Sequence, residues 1–317
     1  MAILEQEMQK AARQSERIEN QAIRELKGIY KQSEDVILDL IGQRLRKYAP
    51  EDMSKYGRME ALERDVHQEL GTMTQRERNT INYAIAAAYL SAYGRTAFGI
   101  EAEVQAKLAY REPSVRSAGK GTRTAIEVLQ QRDFKQLAIQ RTTTLTRMQI
   151  QRDLVQGMAQ GEGYREIAKR VHQTLLREDA DSALYRAARI TRTECGIARS
   201  EATHEAADHA FKQGIIMRKK WVATLDPRTR DAHGSLDGTE VAYDDDFISP
   251  AGGEGWGPRQ MGNASDDINC RCDVIMIVDE DAASVRRVRG EGVIPYKTHG
   301  EYMADKSWMP KYKGFKL

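Results

Sequence analysis

Apolar residues recur at helical spacing along the first fifty positions of the chain. Ile18, Ala22, Leu26 and Ile29 lie three or four apart, and Val36, Ile37, Leu40 and Ile41 continue the stripe through otherwise charged text. This period predicts one long amphipathic helix from about Ile3 to about Tyr48. Ala49-Pro50 ends it, because the residue before a proline is pushed out of the helical region. A second helix is expected from Thr74, where Thr74-Gln75-Arg76-Glu77 has the form of a capping box, through the apolar run Ile81 to Leu90. Residues 113–121 are rich in Ser, Gly and basic side chains and read as an exposed loop.

Helical periodicity resumes from about Ala125 to Met158. Gly161-Glu162-Gly163 interrupts it, and a short amphipathic helix restarts at Tyr164. A further helix is expected from about Ser182 to Gln213, closed by Gly214. Only then does the pattern change. From Ile215 onward β-branched residues, glycines and turn signals dominate. Ile215 to Thr224 and Cys272 to Val278 read as strands, and residues 249–265 as a glycine-rich loop. Asp226-Pro227 offers an N-cap followed by proline at the first helical position, so a short helix carrying Arg228, Arg230 and His233 is expected there. The fold class is α+β: a helical region over 1–180, a small α+β module over 181–280, and an extended tail over 281–317.

Composition sharpens this picture in two respects. The 317 residues carry a net charge of +2, so the whole molecule is not a polycation built for nucleic acid, and any such role must rest on local clusters. Aromatic residues make up only 7%, which suits long polar helices better than a sheet-rich enzyme. The first residues lack the basic and apolar regions of a secretory signal, and no apolar run is long enough to span a bilayer. With three cysteines no fully paired disulfide framework can form, and a cytoplasmic folding environment is expected.

Two of those cysteines stand one residue apart in Asp266-Asp267-Ile268-Asn269-Cys270-Arg271-Cys272-Asp273. In an extended strand residues i and i+2 share a face, which would set Cys270 beside Cys272 with Arg271 opposite. Thiolates are good zinc ligands, and zinc wants four donors. His233 is the candidate third ligand, with Asp226, Asp237, His204 and Cys195 open as the fourth. The alternative is that both thiols are small buried hydrophobes. A redox C-x-x-C motif is absent. Asp226, Arg228, Arg230, His233 and Asp237 also fall within twelve residues. A phosphodiesterase could use His233 as general base beside arginines that clamp a phosphate. The structural alternative has Asp226 capping a helix and the arginines bonding loop carbonyls. No nucleophile elbow, Walker loop, dinucleotide fingerprint or His-Glu-x-x-His is present.

The order of these features is more specific than any one of them. An Arg-Thr-Glu helix containing Glu194 is followed by a stretch that begins at Trp221 and holds Asp226, Arg228, Arg230 and His233. Leu236-Asp237-Gly238 comes next, then the glycine loop, then Asn269-Cys270-Arg271-Cys272. Over residues 160–280 this resembles the phage head morphogenesis family, the Mu F-like minor head proteins of tailed double-stranded DNA phages. The resemblance implies a minor component of the phage head, assembled in the host cytoplasm and resident in the head interior at the portal vertex. Its implied role lies in head morphogenesis and in DNA packaging or ejection. Portal protein, scaffold or major capsid protein and packaged DNA are the implied partners, and no membrane is involved. The family's shared Cys, His and acidic positions imply a cation, zinc or another divalent ion, at Cys270, Cys272, His233 and Asp226. Some relatives carry an enzyme domain after the Asn-Cys-Arg-Cys motif, and the 37 residues 281–317 are too few for one. The competing expectation is a metal-dependent nuclease using His233 with the two cysteines.

Residues 281–317 hold eight Lys and Arg against four Asp and Glu, with Tyr296, Tyr302, Trp308, Tyr312 and Phe315 interleaved. Such a segment either drapes over the body, anchored by its aromatics, or serves as a docking arm. In the second case Arg286, Arg287, Arg289, Lys311 and Lys313 are the expected contacts to a partner or to a nucleic-acid backbone.

Overall fold

A computed structural model describes residues 2–49, 52–53, 57–108, 118–177, 182–212 and 215–279, with backbone alone for 105–108 and 118–122. The basic and aromatic tail with Arg286, Arg287, Arg289, Lys311 and Lys313 lies outside the described residues, as does Gly214. The elements run α1 (Ile3–Lys47), α2 (Arg58–Leu108), α3 (Ala118–Gln130), α4 (Asp133–Ala159), α5 (Tyr164–Leu176), α6 (Ala183–Lys212), β1 (Met217–Val222), α7 (Asp231–Leu236), β2 (Glu240–Ala242), β3 (Phe247–Ile248), β4 (Glu254–Gly255), α8 (Ala264–Asp267) and β5 (Asp273–Val278). The architecture is α+β, with long helices followed by small antiparallel sheets. No helix among the described residues is long and apolar enough to cross a membrane.

The described residues form two compact units, one drawn from 20–82 and 131–191, the other from 2–19, 83–130 and 192–279. The first is all helical. Leu26, Tyr30, Ile37 and Ile41 of α1 pack on Leu62, Val66, Leu70 and Met73 of α2, with Ile150, Leu154, Ile167 and Val171 from α4 and α5 completing the core. The stripe read from the sequence is thus the buried face of α1, except at Val36, which is 44% exposed.

The structure corrects four expectations, the first being the loop read over 113–121, since α3 already begins at Ala118. Helix α2 does not begin at Thr74. Leu62, Val66 and Leu70 extend the apolar stripe upstream and carry the helix back to Arg58. The Thr74 hydroxyl instead bonds the Leu70 carbonyl at 2.8 Å and meets the Thr143 hydroxyl at 2.9 Å. The helix expected over 125–158 is two, because Arg132 adopts φ −52°, ψ 127° and parts α3 from α4. Asp226-Pro227 does not start a helix either; α7 begins at Asp231 with Arg230 in the capping place.

Glu77, the last residue of the apparent capping box, has a different task. Its carboxylate is buried and accepts a hydrogen bond from the Tyr30 hydroxyl at 3.0 Å. Burial pushes its pKa up to about 7, against the lowering effect of that hydrogen bond and of Arg78 and Arg186. The folded state therefore holds the proton more tightly than the unfolded chain does. Stability is greatest below the ordinary carboxyl range, falls as pH rises from about 4.5 to about 7, and then levels off. We expect a decline of about 3 kcal/mol across that window, at 1.36 kcal/mol per pKa unit, and Glu77→Gln should flatten it. Urea midpoints at pH 5 and pH 8 measure the effect, and an equal decline in Glu77→Gln would refute the assignment.

The second unit holds the sheet. Its three strands are ordered β2-β1-β5, all antiparallel, with Trp221 opposite Val274 and Met217 opposite Val278. β3 and β4 form a separate two-stranded ribbon. Leu4 and Met8 of α1, Ile100 of α2 and Ala207 and Ala210 of α6 cover Met217, Met276 and Val278. The N-terminus of α1 points its first amides at Glu103, whose carboxylate accepts from Ile3 N at 2.8 Å. A carboxylate there satisfies orphan donors and meets the positive end of the helix dipole.

Candidate metal centre

A second core, formed by Trp221, Ala223, Leu236, Phe247, Met261, Cys270, Cys272 and Val274, lies against the end of β1 and β5. Trp221 is fully buried and forms edge-to-face pairs with His233 at 5.5 Å and with Phe247 at 5.4 Å. The Leu236-Asp237-Gly238 turn locks α7 onto β1. Asp237 accepts from Ala223 N at 2.8 Å, and Gly238 N donates to the Trp221 carbonyl at 2.9 Å. Gly238 sits at φ +78°, a conformation that disfavours any side chain.

These constraints deliver His233, buried on α7, to the two thiols. Its Nδ1 lies 3.6 Å from Cys270 Sγ and 3.5 Å from Cys272 Sγ, and one ligand atom from each residue falls within 4.8 Å of the others. Both sulfurs face the imidazole, as alternation had suggested, although the cysteines precede β5 rather than lie in it. Asn269, at φ +56°, turns the chain just ahead of them while its amide donates to the Thr193 hydroxyl at 3.1 Å. His233 Nε2 meets the wholly buried Asp266 carboxylate at 3.1 Å, and Ser249 Oγ donates to the same oxygen at 2.9 Å. The other oxygen, Asp266 Oδ2, has no hydrogen-bond partner among the described residues and faces Gly253, where an added Cβ would approach it to 2.4 Å.

The electrostatics match this geometry. The hydrogen bond from the Cys272 thiol, with those of His233 and the nearby Arg259 charge, holds Cys270 well below the ordinary thiol range. The Cys270 thiolate and burial push Cys272 the other way, so the pair shares one proton. The same hydrogen bond to Cys270 raises His233, against burial.

The remaining motif residues fall around this centre. Asp226, expected as a ligand, is engaged elsewhere. Arg271 grips both its carboxylate oxygens, and Arg228 N donates to Oδ1 at 2.9 Å. This holds Asp226 far below the usual carboxylate range. Arg230 donates to the Ile268 carbonyl at 2.6 Å, Arg228 reaches toward Asp226, and Glu194 is buried on α6. His204 stacks on Trp256 at 4.3 Å, and Cys195 is a buried thiol whose pKa burial raises. Among the described residues, the grouping of three or more His, Cys and acidic ligands is His233, Cys270 and Cys272.

The sequence reading missed Asp266 and Arg259. Arg259, set in the glycine loop at φ +68°, is buried and donates to Ser200 Oγ at 3.2 Å, to the Cys270 carbonyl at 3.0 Å and to Asp273 at 3.4 Å. Arg199 also reaches Asp273, at 2.8 Å. Arg259 lies against α6 where Gly196 leaves room; a Cβ there would come within 2.7 Å of Arg259 Cδ.

The chain is similar in sequence to known proteins. A family model described as Phage Mu protein F like protein matches residues 148–275. Minor head protein GP7 of Bacillus phage SPP1 is 31% identical over 238 residues, which cover 75% of this chain and 74% of that protein. NAD(+)--arginine ADP-ribosyltransferase EFV of Enterococcus faecalis is 35% identical over 158 residues, half of this chain but only 31% of that protein. No solved structure matches the chain. The chain belongs to the phage head morphogenesis family, the Mu F-like minor head proteins.

Proposed function

We propose that the protein is a minor head component seated at the portal vertex, where it takes part in DNA packaging or ejection, and that His233, Cys270 and Cys272 hold a zinc or similar divalent cation that braces its C-terminal module. The head role is supported by the relative named for the SPP1 minor head, which matches across most of both chains. The brace is supported above all by the donor set: two thiols and an imidazole converge on one point, and a buried carboxylate orients the imidazole from behind. Structural metal sites have this carboxylate–histidine arrangement, which fixes the tautomer and raises ligand basicity. All three donors are buried, which keeps them from a substrate, and a zinc there would take its fourth ligand from outside this group. A bound zinc would supply cross-linking of α7 to the segment before β5. The protein's own contribution is to hold the thiols and ring in register and to keep water away.

The nuclease reading is not favoured. His233 Nε2 is taken by Asp266 and Nδ1 faces the sulfurs, so neither nitrogen is presented to a substrate. The arginines proposed as a phosphate clamp are tied to Ile268 and Asp226. The transferase named among the relatives shares a segment that is under a third of its length, and its activity is said of that protein.

One sample tests both parts. The full chain, co-expressed with the portal and procapsid proteins of its phage, is expected to co-purify with the portal and to carry about one zinc per chain by elemental analysis. Removing residues 281–317 should weaken the portal association. Deleting α1 is not a usable test, because Leu26, Tyr30, Ile37 and Ile41 belong to a core. His233→Ala and the Cys270→Ser/Cys272→Ser pair should lose the metal. Absence of portal in the full-chain sample overturns the vertex assignment, and absence of stoichiometric metal overturns the brace.

A further inference from the structure

Helix α4 presents two apolar faces. One, with Ile139, Ile150, Leu154 and Met158, is buried in the helical unit. The other is not: Phe134, Leu137, Leu145, Met148 and Val155 are each between 41% and 63% exposed. At about 100° per residue these five fall within an arc of about 80° on the opposite side of the helix, in a line about 32 Å long. Isolated exposed apolar residues need no explanation, but five on one line of a helix, spaced with Arg141 and Arg152, make an amphipathic stripe of the kind that marks an interaction surface.

The exposed charges that α4 itself carries along the seam are cationic, while Glu63 of α2 accepts from Gln151 at 3.2 Å. Arg141 and Arg152 are exposed on the line of the seam itself, Arg147 lies about 80° round the helix near His67, and no acidic residue lies between Phe134 and Arg152. Leu145 also lines a cavity of about 520 Å³ between α4, α5 and α6, into which Arg170, Arg177 and Arg186 project. Its acidic lining residue, Asp153, is used internally, accepting from Gln149 at 3.0 Å and from Thr174 at 2.8 Å. Glu162 offsets Arg170. The surface is therefore an apolar seam with the guanidinium groups of Arg141 and Arg152 set into it.

From this we infer that α4 docks an acidic amphipathic helix of another protein, with the partner's apolar stripe on the Phe134–Val155 seam and its carboxylates toward Arg141, Arg152 and the arginine-lined cavity. Two copies of α4 would set arginine rows against each other, so charge complementarity selects a different, acidic chain. A nucleic-acid backbone would use the arginines but leave five large apolar side chains in water. The inference stands on the helical unit alone and does not depend on the metal site.

The test uses the full chain and a labelled synthetic helix of roughly three heptads with leucine at a and d and glutamate at e and g, beside a counterpart with lysine at e and g. The glutamate helix is expected to bind and the lysine helix not. Leu145→Glu/Met148→Glu and Arg141→Glu/Arg152→Glu should each weaken binding at least about tenfold, equivalent to about 1.4 kcal/mol. Because these positions are exposed, the melting temperature should be unchanged, which separates lost docking from lost folding. Equal binding of both helices, or binding indifferent to both variants, overturns the inference. So does a dimer in sedimentation that Leu145→Glu/Met148→Glu dissolves, since a second copy is then the occupant. Displacement of the glutamate helix by duplex DNA likewise overturns it in favour of nucleic acid. Portal co-purification is read on a separate sample, so either result can fail without the other.

Discussion

Trp221→Ala lowers the stability of the C-terminal module by about 3–5 kcal/mol, the range for removing a fully buried large aromatic. Trp221 has no exposed surface and stands between Phe247 and His233. Its removal leaves a void bounded by Leu236, Met261 and both cysteines, whose anchoring to β1 and β5 prevents the walls from closing in. The imidazole also loses the ring that fixes its plane, so metal retention should fall with stability. Trp221 Nε1 makes no hydrogen bond among the described residues, so Trp221→Phe forfeits volume but no polar contact and should recover about half of the loss. Hydrogen exchange at the Gly238 and Thr239 amides, with denaturant midpoints, reads the module directly. A loss below about 1.5 kcal/mol would show that packing there is centred elsewhere.

Arg259→Leu has an effect of similar size by a different route. The guanidinium binds Ser200, the Cys270 carbonyl and Asp273 in one buried arrangement, with Glu19 nearby. Removing one partner of a buried ionic network costs up to about 3–5 kcal/mol, and because Asp273 keeps Arg199 at 2.8 Å the cost should lie at the lower end of that range. Leucine also leaves the Cys270 carbonyl without its donor, which should loosen the loop that carries both thiols. Arg259→Lys keeps the charge but cannot fork to three acceptors, and should recover less than half of the loss. Equilibrium unfolding of the three proteins decides the matter; full rescue by lysine would mean that charge alone, and not the fork, matters.

How much of this was legible in the sequence depended on whether the determinant was local. Helix α1 was readable because one periodic stripe does all its packing. The start of α2 was not, because Thr74 and Glu77 mimic a cap while making tertiary contacts to Thr143 and Tyr30. The break at Arg132 carries no Pro or Gly to announce it. Asp226-Pro227 initiates helices and Asx turns with the same letters, and the Arg271 pair resolves the choice forty-five residues away. His233, Cys270 and Cys272 could be named because the order of motifs linked them. Asp266 and Arg259 could not, since nothing near a charged residue says that it will be buried. For Arg259 the determining neighbours, Gly196 and Ser200, stand about sixty positions upstream on α6.

The contact between the two extremes of the described chain has a temporal meaning. Met276 N, on the edge strand β5, donates to the thioether of Met8, and Leu4 and Met8 share a core with Val278. On the ribosome, the first helical turns emerge long before the strand that covers them is made. The sheet-bearing unit therefore cannot close until β5 has emerged, and until then Leu4 and Met8 lack the strand that covers them. Timed proteolysis of nascent chains stalled before and after residue 278 should show protection of the first twenty residues appearing only at the later point.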